Sequence, residues 1–151
     1  MSANWSDPAV AERILRSFRT WAVIGCSSRP WRASHGVSRY LLRQGYEVIP
    51  VHPNEKEVHG IPAHRDLLSV PDELRSRIEV VDLFRRSELV PAHVDEAIAI
   101  GAKAIWMQLE VWNEDAAERA AAAGLEVVMD RCPAIDHPQM VGAPFTEPGT
   151  G

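Results

Sequence analysis

WAVIGCSSRPWRASHGVSRYLL, residues 21–42, changes character twice, and those changes decide the fold. An apolar run ends at Gly25 and gives way to ten residues, Gly25 to Ser34, rich in small, hydroxyl, Pro and Arg side chains. Val37, Tyr40 and Leu41 then recur at helical spacing as far as Gly45, a glycine placed to end a helix. Continuous apolar runs without alternation suit strands of a parallel sheet covered on both faces. Strand, loop and helix in this order resemble the start of a nucleotide-binding domain, with Ser34 expected to cap the helix.

Outward from this unit the same alternation repeats. Upstream, Asp7 caps and Pro8 begins an amphipathic helix over about 8–18, whose Val10, Ile14, Leu15 and Phe18 share a face. Downstream, YEVIPV is a second strand and HPNEKEVHG a turn-rich loop; GIPAHRDLLSVP supplies a short extended piece and one helical turn. IEVVDLF is a third strand, followed by a helix with Val90, Val94, Ala97 and Ile98 on one face before Gly101. AKAIWMQ, a helix over NEDAAERAAAAG capped by Asn113, and LEVVMD complete the alternation. The expected fold is therefore α/β, a Rossmann-like, doubly wound, mainly parallel sheet with helices on both faces. All 151 residues are expected to form a single domain with a loose tail over about 141–151, where Pro, Gly and Thr offer little to bury.

Composition narrows the function. A net charge of −5 argues against a nucleic-acid partner, and no apolar run approaches the roughly 20 residues that cross a bilayer. The start of the chain lacks the pattern of a secretory leader, and two cysteines, Cys26 and Cys132, are too few for a disulfide framework, so a reducing cytoplasm is the expected setting. Charge is unevenly distributed. Between Glu12 and Glu47 there is no acidic residue, whereas Arg13, Arg16, Arg19, Arg29, Arg32, Arg39 and Arg43 all fall there. This excess around one loop suits a small anionic ligand, although Arg13, Arg16 and Arg43 equally suit solvated helix faces.

In an open parallel sheet the ligand crevice lies beyond the carboxyl ends of the strands. The segments there are Gly25–Ser34, His52–Lys56, Phe84–Arg86, Gln108–Trp112 and Asp130–Pro133. The helix start near Ser34 offers free N–H groups, Ser27, Ser28 and Ser34 offer hydroxyls, and Arg32 offers a planar fork for phosphate. A nicotinamide-dinucleotide cradle is excluded. Gly25 and Gly36 stand eleven residues apart, and VIPVHPN carries no acidic residue for ribose hydroxyls. No glycine-lysine-serine or glycine-lysine-threonine of an ATPase loop occurs. The six histidines show no metal-ligand spacing on a predicted helix, so no metal is expected. Cys26 and His35 border the loop. They leave open a nucleophile pair, against the reading of Cys26 as a small packed residue, and no catalytic residue is assigned. Trp106 is expected in the core and Trp112 at the surface.

AVIGCSSRPWRASHGVSRYLLRQGYEVIPVHPNEKEVHG and VDLFRRSELVPAHVDEAIAIGAKAIWMQLEVWNEDAAERAAAAGLEVVMDRCPAIDH together resemble the small stand-alone coenzyme A-binding proteins. These are relatives of the N-terminal domain of the succinyl-CoA synthetase α subunit. The resemblance runs in order from about Thr20 to His137 and implies coenzyme A, or an acyl-CoA, as the bound ligand. It implies that Gly25, Cys26, Ser27, Ser28, Arg29, Arg32 and Ser34 belong to a loop wrapping the diphosphate. His52, Pro53, Asn54 and Lys56 would flank the adenosine, and Phe84, Arg85, Arg86, Gln108 and Leu109 would line the pocket towards the pantetheine arm. Members often have asparagine where this chain has His52. The resemblance implies a binding or sensor protein without catalysis, since the synthetase chemistry needs further domains; an enzyme acting on acyl-CoA thioesters is the alternative, and no protein partner is visible. Coenzyme A carries roughly four negative charges and a helix terminus offsets about half of one. Some of Arg29, Arg32, Lys56, Arg85 and Arg86 must supply the rest.

Overall fold

A computed structural model describes residues 4–148. In chain order the elements are α1 (Pro8–Ser17), β1 (Thr20–Ile24), α2 (Ala33–Arg43), β2 (Glu47–Val51), β3 (Glu57–Val58), β4 (Ile61–Pro62), α3 (Asp72–Arg75), β5 (Val80–Leu83), α4 (Val90–Ala99), β6 (Ala104–Met107), α5 (Glu114–Ala122), β7 (Glu126–Val128) and α6 (Pro133–Met140). Five strands form one parallel sheet in the order β2-β1-β5-β6-β7, and β3 and β4 form a small antiparallel hairpin. This is the Rossmann-like α/β fold expected from the alternation. No helix among the described residues is long and apolar enough to cross a membrane.

The apolar runs divide by parity between two cores, as side chains that alternate across a sheet must. Ala22, Ile24, Val81, Leu83, Ile105 and Met107 face a core shared with Val94 of α4 and Ala116 of α5. Trp21, Val23, Val80 and Trp106 face the other core with Leu15 of α1, Leu41 of α2 and Cys132 at the start of α6. Both faces of the central strands are covered, which is why they read as unbroken hydrophobic runs. Trp21 and Trp106 stack at 5.5 Å, both fully buried, while Trp112 is exposed.

Glu57–Val58, read as part of a loop, is a strand, Asp72–Arg75 forms a short helix that was not expected, and two segments near the end of the chain also depart from the sequence reading. Asp130–Pro133, read as a turn, leads into α6, whose first helical residue is Pro133 and whose interior contains Pro138. Tertiary contacts hold this short helix: the Arg131 guanidinium donates to both carboxylate oxygens of Asp136 at 2.7 and 2.9 Å, and the Tyr40 hydroxyl meets His137 Nδ1 at 2.7 Å. The tail is also less loose than its composition implies. Phe145 N–H donates to the Gln44 carbonyl at 2.7 Å, and its ring packs 5.2 Å from that of Tyr46. Residues 149–151 of the expected tail lie outside the described residues.

Candidate functional site

The chain leaves β1 for β2 on one side and for β5 on the other, so the sheet order reverses beside β1. A cavity of about 740 Å³ opens there, at the carboxyl ends of the strands. Gly25 begins its floor with φ +83°, and its N–H donates to the Val51 carbonyl at 2.8 Å. Cys26 N–H reaches the same carbonyl at 3.2 Å. The loop is thereby tied to the end of β2.

Beyond this anchor the loop organises itself through serines. Ser34 does not cap α2: the chain enters the helix two residues earlier, with extended Arg32 (φ −84°, ψ 139°) at the cap position and no side-chain cap hydrogen bond. Buried Ser34 turns inward, and its hydroxyl accepts the N–H of Ser27 at 3.0 Å. Ser27 Oγ in turn accepts Arg29 N–H at 3.1 Å. These bonds satisfy buried loop donors, a requirement that outweighs the capping preference. Ala33 and Ser34, the first residues of α2, line the cavity, so the positive end of the helix lies at its edge.

Most of the residues expected at the site line this one cavity. Gly25, Ser27, Arg29, Arg32 and Ser34 form its loop side, and His52 and Asn54 its edge beyond β2. Phe84, Arg85 and Arg86 follow β5, and Gln108 and Leu109 follow β6. The other four stand elsewhere. Cys26 is fully buried beneath the loop, and Pro53 lines a smaller adjoining cavity of about 200 Å³ together with Arg65, Asp66 and His93. Lys56 lies outside the cavity lining, its carbonyl accepting Ala63 N–H at 2.9 Å. Ser28 is engaged with Glu55, donating its hydroxyl at 2.9 Å and its N–H to the same carboxylate.

Glu55, Glu110, Val111 and Cys132 also line the cavity and were not singled out as site residues. Glu55 and Cys132 were legible only as members of strand-end segments; Glu55 reaches a loop 27 positions away. The hydrogen bonds from Ser28 hold the Glu55 carboxyl below its ordinary range, so it stays ionised on donors that a phosphate would also use. Of the arginines lining the same cavity, Arg86 lies 3.8 Å from Glu88, whereas Arg32 and Arg85 form no ion pair among the described residues and Arg85 Nε is buried without a hydrogen-bond partner. Gln108, 5% exposed, likewise has an unpartnered Oε1. The cavity thus brings guanidinium groups and a buried amide acceptor to one concave surface.

The Cys26–His35 pair is not assembled. Burial pushes the Cys26 thiol up to about 11, with Asp82 and Glu55 adding in the same direction against the Ser38 hydroxyl. The His35 ring stacks on His59 at 4.4 Å, and the His59 Nε2 lies 2.9 Å from Ser38 Oγ. A protonated, inaccessible thiol is no nucleophile. Native protein at pH 8 should therefore leave Cys26 unmodified by iodoacetamide, while urea-unfolded protein labels it fully; rapid native alkylation mapped to Cys26 would contradict this burial.

Comparison with known proteins gives a consistent family. The family model described as CoA binding domain matches residues 19–138. Uncharacterized protein YneT of Bacillus subtilis (strain 168) is 37% identical over 133 residues, covering 87% of this chain and 96% of YneT. A hypothetical protein from Pyrococcus horikoshii OT3 superposes with a TM-score of 0.83 at 35% identity, covering 94% of this chain and all of that one (100%). The apo dinucleotide-forming acetyl-coenzyme A synthetase 1 of Ca. Korarchaeum cryptofilum shares the fold, with a TM-score of 0.62 at 22% identity over 75% of this chain and 26% of its own.

Proposed function

Because the chain belongs to the CoA binding domain family, we propose that it binds coenzyme A, or an acyl-CoA, in the strand-end cavity and does not turn it over. The observation that carries this reading is the cavity at the point of strand reversal, lined by the start of α2 with Arg32, which has no ion pair among the described residues, and by Gln108 with its unpartnered acceptor. The diphosphate would rest on the loop Gly25–Ser34, and the pantetheine arm would pass Phe84–Arg86 towards Gln108. In this reading the residues supply binding and orientation only; the buried, protonated Cys26 argues against its use as a nucleophile.

Calorimetric titration with coenzyme A, and with NAD and ATP as comparators, should give the tightest binding for coenzyme A. Equal heats for all three, or none, would overturn the reading. Arg32→Ala should weaken coenzyme A by about 1.5–3 kcal/mol, the worth of a charge-assisted hydrogen bond to phosphate, and pantetheine, which lacks phosphates, much less. If Arg29→Ala weakens binding and Arg32→Ala does not, the loop still holds the phosphates through another arginine; no effect from either removes the loop from the site.

Glu55 supplies a test of opposite sign. Its carboxylate occupies the N–H and hydroxyl of Ser28, so an incoming phosphate must compete with a resident anion. Glu55→Gln should tighten coenzyme A roughly twofold to fivefold, the scale of an exposed charge effect, and the gain should shrink in high salt. Weaker binding in this variant would mean that the carboxylate holds the loop in its binding shape.

A further inference from the structure

We propose that Cys132 is a site of reversible covalent capture, forming a mixed disulfide with the sulfur end of a coenzyme A-type ligand supplied as its disulfide. This rests on the coenzyme A reading above and adds to it a reaction at a residue to which that reading gives no part. The two cysteines of the chain are both free and both buried. Cys26 is fully buried beneath the loop, whereas Cys132, 7% exposed and packed on the same apolar core, lines the cavity itself.

The second observation is Gln108. It lines the same cavity, is 5% exposed, and its Oε1 is buried with no partner among the described residues. A buried amide oxygen left unpaired is costly, and a ligand N–H entering the cavity removes that cost. The backbone also brings the two residues to one edge. β6 and β7 are adjacent strands, and beyond β7 the N–H of Arg131 donates to the carbonyl of Met107 at 3.3 Å. Gln108 follows Met107 and Cys132 follows Arg131, so the amide acceptor and the thiol each come one residue after this bonded pair, and both line the cavity. Coenzyme A carries amide N–H groups along the arm between its phosphates and its sulfur. An arm that donates an amide N–H to Gln108 passes beside Cys132 and brings a terminal sulfur within reach of it.

The chemistry is thiol–disulfide exchange and needs no other oxidant. Cys132 loses its proton, and its sulfur attacks one sulfur of coenzyme A disulfide. The Cys132–ligand S–S bond forms as the ligand's own S–S bond breaks. The departing coenzyme A thiolate takes up the proton. One disulfide is exchanged for another, and a free thiol reverses the step.

Incubation of the purified full chain with coenzyme A disulfide should add the mass of a single coenzyme A less two hydrogens. A thiol reductant should remove it, and peptide mapping should place it on Cys132. Cys132→Ser should lose the adduct completely, and oxidised glutathione at equal concentration, without phosphates for the loop, should label far more slowly. An adduct on Cys26, equal rates with both disulfides, or no adduct on a protein that calorimetry shows to bind coenzyme A would each overturn the capture while leaving the binding function standing. Absence of any coenzyme A binding would overturn both. Mapping on the unsubstituted chain decides the question even if Cys132→Ser does not fold.

Discussion

Gly25→Ala should destabilise the protein by about 2–5 kcal/mol and abolish ligand binding in whatever fraction remains folded. Gly25 has φ +83°, where an L side chain is strained, and an added Cβ would stand 2.5 Å from the Phe84 carbonyl oxygen and 3.3 Å from its carbon. Neither backbone is free to retreat. Gly25 N–H is bonded to Val51, and Phe84 N–H donates to the Ile24 carbonyl at 2.9 Å, so the end of β1 is clamped between β2 and β5. Any accommodation must displace the loop that begins at this residue and lines the cavity. Urea denaturation with an unchanged m-value measures the loss, and a cost below about 1 kcal/mol would contradict the clamp. Gly36→Ala is the matched control. Its added Cβ meets nothing within 4 Å, and inside α2 it should be neutral or stabilising by up to about 1 kcal/mol.

Asp82→Val should have the opposite sign, stabilising by about 2–4 kcal/mol at neutral pH. Asp82 sits in the middle of β5, fully buried, in register with Val23 and Trp106, and neither carboxylate oxygen has a hydrogen-bond partner among the described residues. Burial drives its pKa well above the usual carboxylate range. The unfolded chain releases this proton near pH 4, whereas the folded chain retains it to higher pH. Within that window the folded state binds more protons, so the contribution of Asp82 to stability is greatest below the unfolded pKa and is lost as pH rises through the window. Valine has no proton to lose and suits a strand. The advantage of the variant should therefore grow as denaturation is repeated from pH 5 to pH 8. An advantage independent of pH would show that the carboxyl is not held protonated by the fold.

Asp82 also marks a limit of reading apolar runs. VVDLF reads as a buried strand in spite of its carboxylate, and the strand forms as expected, with the charge problem resolved by protonation instead of pairing. Trp106 and Trp21 were legible for the same reason, since a run covered on both faces leaves no solvent side for an indole. The position of the cavity followed from topology: once the strands alternate with helices in parallel, residues just after them must gather at one edge. Arg32, Asn54, Phe84 and Gln108 line a common cavity because of that rule, although widely separated in the chain.

Local pattern was a poorer guide wherever a long-range partner decided the outcome. Ser34 has the composition of a helix cap, yet the need of Ser27 N–H for an acceptor draws it inward and leaves Arg32 at the cap position. The segment Pro133–Met140 carries two prolines, a carboxylate and a histidine, a weak helical signal by itself. It is helical because Arg131 neutralises Asp136 and Tyr40 engages His137 from across the fold.

Hydrophobic periodicity, turn residues and the gap in acidic charge around the first loop are properties of neighbouring residues. By themselves they determined the five-stranded sheet and the helices that alternate with its strands, and they pointed to the strand-end edge and to an anionic ligand as expectations. The pairing of Glu55 with Ser28, the lack of an ion pair at Arg32 and Arg85 among the described residues, the unmet Gln108 acceptor in the cavity that Cys132 also lines and the seclusion of Cys26 depended on which distant groups meet in space. Only the tertiary structure decided them, because hydrogen bonding and desolvation act over a few ångströms of space regardless of separation along the chain.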